Sequence, residues 1–240
     1  MNMTGLFVGL IAVAAGILQG VTGMGGGMIQ MLVLPLFFPV QLASAIAGCA
    51  CLFLTAVMAF QYRKKANIKM AIVPALLYMA ASGLAIHFSA GWNPVIIKKM
   101  LGGFLILLAL YFLVIQPKAK LKPGPVLSIV FFLVAGTCDG LFSVGSPLMV
   151  LYFLSKTEDK EEYLGTIQLA FFISLFSSTV VRISHRILLP AHIPAVLAAI
   201  VGIWAGLGIA NRIVKRIDAD LFRKFVYGAI VLSGVYNLVF

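Results

Sequence analysis

Apolar residues dominate the first sixty positions of the chain, and no charged side chain appears before Arg63. Beyond it, long apolar stretches alternate with short polar or basic turns. Eight stretches approach or exceed the roughly 18 residues needed to cross about 30 Å of hydrocarbon at 1.5 Å per residue. They are 3–22, 42–62, 70–90, 95–115, 125–142, 163–181, 191–211 and 221–240. Two further segments, 27–38 and 147–154, are too short to cross as ordinary helices. They read as half-helices or re-entrant pieces. No run of short alternating strands suggests a β-barrel. The pattern predicts an all-α polytopic membrane protein of eight long helices and two short broken ones, eight to ten membrane segments in all.

The pattern also repeats. Ala15-Gly16-Ile17-Leu18-Gln19-Gly20 aligns with Ala135-Gly136-Thr137-Cys138-Asp139-Gly140, and Gly23, Gly25, Gly26 and Gly27 then face Ser143, Gly145, Ser146 and Pro147. Near the other end of each half, Lys99 to Tyr111 pairs with Lys224 to Tyr236, including Gly103 with Gly228. Ordered matches at both ends imply duplication, with a first half 1–115, a basic linker 116–124 and a second half 125–240. Lys and Arg accumulate in loops 62–69, 116–124 and 212–220, which the positive-inside rule assigns to the cytoplasm. Loops 91–95 and 182–190 then lie outside and the halves are inverted. The alternative is eight crossings in parallel halves, which would export the basic 212–224 region.

Composition agrees. Of 240 residues, 62% are hydrophobic and 10% charged, against about a quarter charged in soluble domains. The net charge of +11 does not indicate a nucleic-acid partner. Its sources sit at helix ends (Arg63, Lys64, Lys65, Lys69; Lys98, Lys99; Lys118, Lys120, Lys122; Arg212, Lys215, Arg216, Arg223, Lys224), as topology signals and headgroup anchors do. Cys49, Cys51 and Cys138 form no CxxC and read as small packing residues. No metal constellation is expected. The N-terminus lacks a basic stretch of signal-peptide type, so the first helix is expected to stay and insert.

Candidate chemistry centres on GVTGMGGGMIQ, Gly20 to Gln30. Open backbone groups in hydrocarbon cost several kcal/mol each, so a broken helix is tolerated only against protein or a wet cavity. Gly23-Met24-Gly25-Gly26-Gly27 is expected to break one helix, and Ser143-Val144-Gly145-Ser146-Pro147 its counterpart. Paired Gly/Pro interruptions in two halves point to a transporter binding site. Helix N-termini starting near Gly26 and Pro147 would direct N–H groups and partial positive charge at a compact anion, with Thr22, Ser143 and Ser146 adding hydroxyls. Close packing alone is the competing account, and it suits Gly102, Gly103 and Gly202 to Gly208. Asp139 is the only acid outside the loops, and its repeat partner is Gln19. An intramembrane carboxylate is a coupling candidate, although a structural hydrogen bond would also account for it. Among Ser44, Thr55, Thr166, Gln168, Ser174, Ser177, Ser178 and Thr179, Gln168 is the best ligand candidate. The others are expected to bond back to their own helix. His87 and Trp92 read as interfacial, His185 and His192 as loop residues, and Trp204 as packing.

The N-terminal run, AG…QGVTGMGGGMIQ…LPLFF followed by a long helix ending in a basic patch, resembles the TauE/SafE family of sulfite-exporter-like bacterial membrane proteins. The resemblance covers essentially the whole chain and implies two repeated halves and movement of sulfite, sulfonates or related organosulfur anions. The second copy, at Gly140 to Pro147, departs from the glycine-rich form. The expectation is therefore a secondary carrier in the bacterial inner membrane, not an enzyme, with a small anionic substrate, no cofactor and no nucleic-acid partner. Its site residues would be Gln19, Thr22, Gly23, Met24, Gly25, Gly26, Gly27, Ser143, Gly145, Ser146, Pro147 and Gln168, with Asp139 for ion coupling. Homo-oligomer formation is left open. Alternatives are a cation carrier or channel using Asp139, a non-transporting scaffold, and an intramembrane enzyme. The last is disfavoured because no HExxH or GxSxG is present.

Overall fold

A computed structural model describes residues 3–110, 123–213, 233 and 235–239. Within them the helices are α1 (Met3–Thr22), α2 (Gly26–Met31), α3 (Val40–Gln61), α4 (Ile68–Ser89), α5 (Pro94–Leu110), α6 (Pro125–Phe142), α7 (Ser146–Lys156), α8 (Lys160–Ser184) and α9 (Ile193–Ile213). Short 3-10 turns at Leu34–Leu36 and Pro190–His192 precede α3 and α9. Among the described residues, α1, α3, α4, α6, α8 and the segment Pro190–Arg212 are long and apolar enough to cross a membrane. Most of the predicted 116–124 linker and of the 221–240 span, with the basic residues Lys118 to Lys122 and Lys215 to Lys224 and with Gly228, lies outside the described residues.

Helix ends differ from the hydropathy reading where polar caps extend a span. Asn67 Oδ1 accepts from Met70 N–H at 3.2 Å to start α4, and Asp159 Oδ2 accepts from Glu162 N–H at 3.1 Å to start α8. An N-cap carboxylate or amide satisfies donors that the first turn cannot pair. At its other end α8 runs on to Ser184, and this corrects the reading of 182–190 as a loop: Arg182 belongs to the last turn of α8 and is only 2% exposed.

Glycines set how the long helices meet. A Cβ on Gly16 would strike the Ile203 carbonyl, one on Gly202 the Gly9 carbonyl and one on Gly206 the Val13 carbonyl, so α1 and α9 touch backbone to backbone and run in the same direction. Gly136 and Gly140 on α6 likewise meet the carbonyls of Tyr78 and Ser82 on α4. Small residues four apart permit this approach in a lipid environment. Packing does not explain Gly103 or Gly208, where an added Cβ would meet nothing within 4 Å.

Polar contacts tie α4 to α8. Asn67 N–H donates to Thr166 Oγ1 at 2.9 Å, the hydroxyls of Ser82 and Ser178 lie 2.9 Å apart, and His87 Nδ1 is 3.1 Å from His185 Nε2. Contacts ascending together in both helices make them parallel. By contrast Ser44, at the start of α3, meets Arg182 at the end of α8, while a Cβ on Gly165, near the start of α8, would meet the Tyr62 carbonyl at the end of α3; these two are antiparallel. Thr166, Ser44 and Ser178 thus bond across helices rather than back to their own. Ser174 does both, reaching the Ala75 and Ala170 carbonyls, and Thr55 bonds within α3. Trp204 is 53% exposed, so it faces outward instead of packing inside.

Candidate functional site

Both interruptions are present, and each is a reversal of the chain. After α1 ends at Thr22, Gly23 (φ 78°) and Gly25 (φ 92°) take the left-handed backbone that only glycine adopts at little cost. The chain then folds back along α1, where Gly26 N–H donates to Gln19 Oε1 at 3.1 Å. Three side chains hold the turn: Thr22 Oγ1 donates to Met24 O at 3.0 Å, Gln168 Nε2 to Gly23 O at 2.8 Å, and Tyr163 OH to Thr22 O at 3.2 Å. The first N–H of α2 is therefore already capped by Gln19, whereas the sequence left it open for a ligand.

The second reversal follows α6. Ser143, aligned with Gly23, adopts the same left-handed conformation (φ 53°) despite carrying a side chain. Such a residue costs about 1–3 kcal/mol and persists where its surroundings hold it. Ser143 N–H donates to Asp139 O at 2.7 Å, and Ser143 Oγ donates to Ser44 O at 2.9 Å. Pro147 opens α7 at a position where its missing N–H costs nothing.

Arg182 crosses from α8 to this reversal. Its Nη2 donates to Ser44 Oγ (2.6 Å), Gly140 O (3.1 Å), Asp139 O (3.2 Å) and Ser143 Oγ (3.3 Å). Its Nη1 is buried with no hydrogen-bond partner and lies 2.5 Å from where a Cβ on Gly48 would stand. The Asp139 carboxyl lies near Tyr78 and Gly145, and its Oδ2 is buried and unpartnered. Arg182 thus holds the carbonyl of Asp139, not its carboxylate.

The two reversals touch, since a Cβ on Gly27 would strike the Ser143 carbonyl. Beside this contact lies a cavity of about 30 Å³ lined by Gln19, Met24, Gly25, Gly26, Gly27, Gly48, Cys51, Tyr78, Asp139, Ser143, Ser146, Phe171 and Leu175. A space of that size holds a water or two. Against this geometry stands one comparison: the family model for the sulfite exporter TauE/SafE matches residues 8–237. The chain belongs to the TauE/SafE family. This makes it an integral membrane protein of a transporter family of the sulfite-exporter type. No curated protein matches the chain, and no solved structure does.

In this TauE/SafE protein, eight of the residues singled out from sequence line the cavity: Gln19, Met24, Gly25, Gly26, Gly27, Asp139, Ser143 and Ser146. Five do not. Thr22, Gly23 and Gln168 brace the first reversal. Gly145 packs beneath the second, where a Cβ would meet the Ala135 carbonyl and the Tyr78 hydroxyl. Pro147 is buried in the first turn of α7. Sequence reasoning missed Gly48, Cys51, Tyr78, Phe171 and Leu175 in the walls and Arg182 behind them. No local signal marked Arg182 as buried: it stands just past an apolar span, where a cation reads as a loop residue. Among the described residues no group of three or more His, Cys, Asp or Glu could hold a metal ion.

Proposed function

We propose that this protein is a secondary carrier that moves a compact sulfur-containing anion, sulfite or a small sulfonate, across the bacterial cytoplasmic membrane, with the two chain reversals as its binding site and Asp139 as its coupling group. The observation that carries this reading is the contact of Gly27 with the Ser143 carbonyl beside a cavity whose walls come from both reversals. Membership of a sulfite-exporter family supplies the substrate class. The fully buried Arg182 favours an anion over a cation, because an arginine stays charged in proteins and repels cationic cargo.

The two halves are proposed to be inverted repeats, making ten membrane segments with the broken ones counted. Helix direction supports this. α6 runs parallel to α4, and α4 parallel to α8; α8 turns back into α9, and α9 runs parallel to α1. The first helices of the two halves, α1 and α6, are therefore opposed. The face carrying Arg63, Lys64, Lys65, Lys69 and Arg212 is assigned to the cytoplasm.

The test is uptake and efflux of radiolabelled sulfite by purified protein in liposomes, beside Gly26→Leu. A leucine there would have to displace the Gln19 side chain and crowd Cys51. The carrier reading expects flux in the wild type and none in a folded Gly26→Leu protein. Equal flux in both would place the pathway elsewhere, and no flux in either would leave a scaffold.

A further inference from the structure

Two buried atoms at the second reversal lack the partners their chemistry calls for, and they carry opposite charge. Arg182 Nη1, a donor, and Asp139 Oδ2, an acceptor, are both unpartnered. Asp139 lines the cavity, and Arg182 stands behind Gly48 and Ser143, which line it too. An unmade hydrogen bond at a charged buried group is expensive, so the arrangement is expected where a ligand completes it.

Charge balance sets what that ligand brings. Arg182 cannot give up its proton, and a site enclosed by apolar helices holds net charge only at high cost. The other titratable groups facing the pair are Tyr78 from α4, Cys49 and Cys51 from α3, and Cys138 on α6; none is a cation. Two fillings are therefore neutral. In the empty site the Asp139 carboxylate is the counter-ion of Arg182. In the loaded site a monoanion replaces it and Asp139 is the neutral acid. Resting on the carrier reading above, we propose that Arg182 is the charge receptor for the anion. Substrate and Asp139 then exchange as its counter-ion, so that each monoanion crosses with one proton and no net charge moves.

The step balances. A proton from the side of entry adds to Asp139 Oδ2 as the anion approaches Arg182 Nη1, and the new O–H donates to an anion oxygen. On the other side the anion leaves and the proton returns to water. Both orphaned atoms are satisfied in the loaded state, and the two N–H groups of Nη2, shared among Ser44, Asp139, Gly140 and Ser143, keep the guanidinium in place throughout.

The experiment uses full-length protein in liposomes with radiolabelled sulfite and, in parallel, methanesulfonate, which is a monoanion at every working pH. An imposed potassium–valinomycin potential should leave wild-type accumulation unchanged, whereas carriage of a bare monoanion would alter it about fiftyfold for about 100 mV. An entrapped pH dye should report one proton per methanesulfonate. Asp139→Asn should still bind, but its flux should become voltage-dependent and lose the pH signal. Arg182→Gln should weaken binding at least about thirtyfold, as truncation of one partner of a buried charge pair does. Arg182→Lys, which keeps the charge, should retain binding and voltage independence if the glutamine variant does not fold. Voltage-dependent flux without protons in the wild type, or wild-type affinity in folded Arg182→Gln, overturns this inference while the carrier reading stands. Absence of any sulfur-anion flux in the wild type overturns both.

Discussion

Gly27 rests directly against the backbone carbonyl of Ser143, leaving no room for even a methyl group between the two reversals. The first prediction follows from that contact. Gly27→Ala must push the hairpins apart, and overpacking of this kind costs about 1–3 kcal/mol. Gly103→Ala, where an added Cβ meets nothing within 4 Å, should be neutral. Thermal unfolding of both variants in detergent, with sulfite flux measured alongside, checks this: Gly27→Ala should melt earlier and transport poorly, and Gly103→Ala should match the wild type.

Gln168 offers a second test. Its Nε2 holds the Gly23 carbonyl at 2.8 Å. Gln168→Leu keeps the bulk and leaves a buried carbonyl without its donor, at a cost of about 1–3 kcal/mol. Because Gln168 does not line the cavity, affinity for sulfite measured on the folded fraction should change less than stability does. A large loss of affinity with unchanged melting would instead make Gln168 a ligand.

The contrast between these residues shows what the sequence carries. The glycine run at Gly20 to Gly27 is readable because adjacent glycines in an apolar span have few explanations besides a reversal. Arg182 is not, because hydropathy closes a span at its first cation, and the groups that hold it are Ser44 and Gly48 on α3 and Asp139, Gly140 and Ser143 at the second reversal. A pairing across 138 positions leaves no local pattern. Gln19 is intermediate. Its polarity marks it as special, but only coordinates reveal that its oxygen is engaged by Gly26, seven positions on.

Gly206 and Gly208 differ by two positions on α9 and should behave differently. Gly206→Leu would force a side chain into the Val13 carbonyl and the Ile17 N–H, while at Gly208 an added Cβ meets nothing within 4 Å. Folded yield by size-exclusion chromatography should collapse for the first and hold for the second. Similar yields would place the α1–α9 contact elsewhere.

His87 and His185 face one another at 3.1 Å where α4 and α8 end. Replacing either by alanine should cost about 0.5–1.5 kcal/mol, and the double variant no more than the worse single one. A double-mutant cycle on melting decides this: strictly additive losses would mean that the two rings do not depend on each other.

The backbone seam between α1 and α9 bears on how the chain is made. α1 emerges from the ribosome well ahead of α9, with its small residues Gly9, Ala12 and Gly16 facing a groove that Gly202 and Gly206 close. That partner is synthesised nearly two hundred residues later. The α6 seam is satisfied at once, because α4 precedes it. Biogenesis is thus lopsided: the α4–α6 part of the bundle can assemble as it is threaded into the bilayer, while α1 waits, its narrow face against lipid or an insertion factor, until α9 arrives.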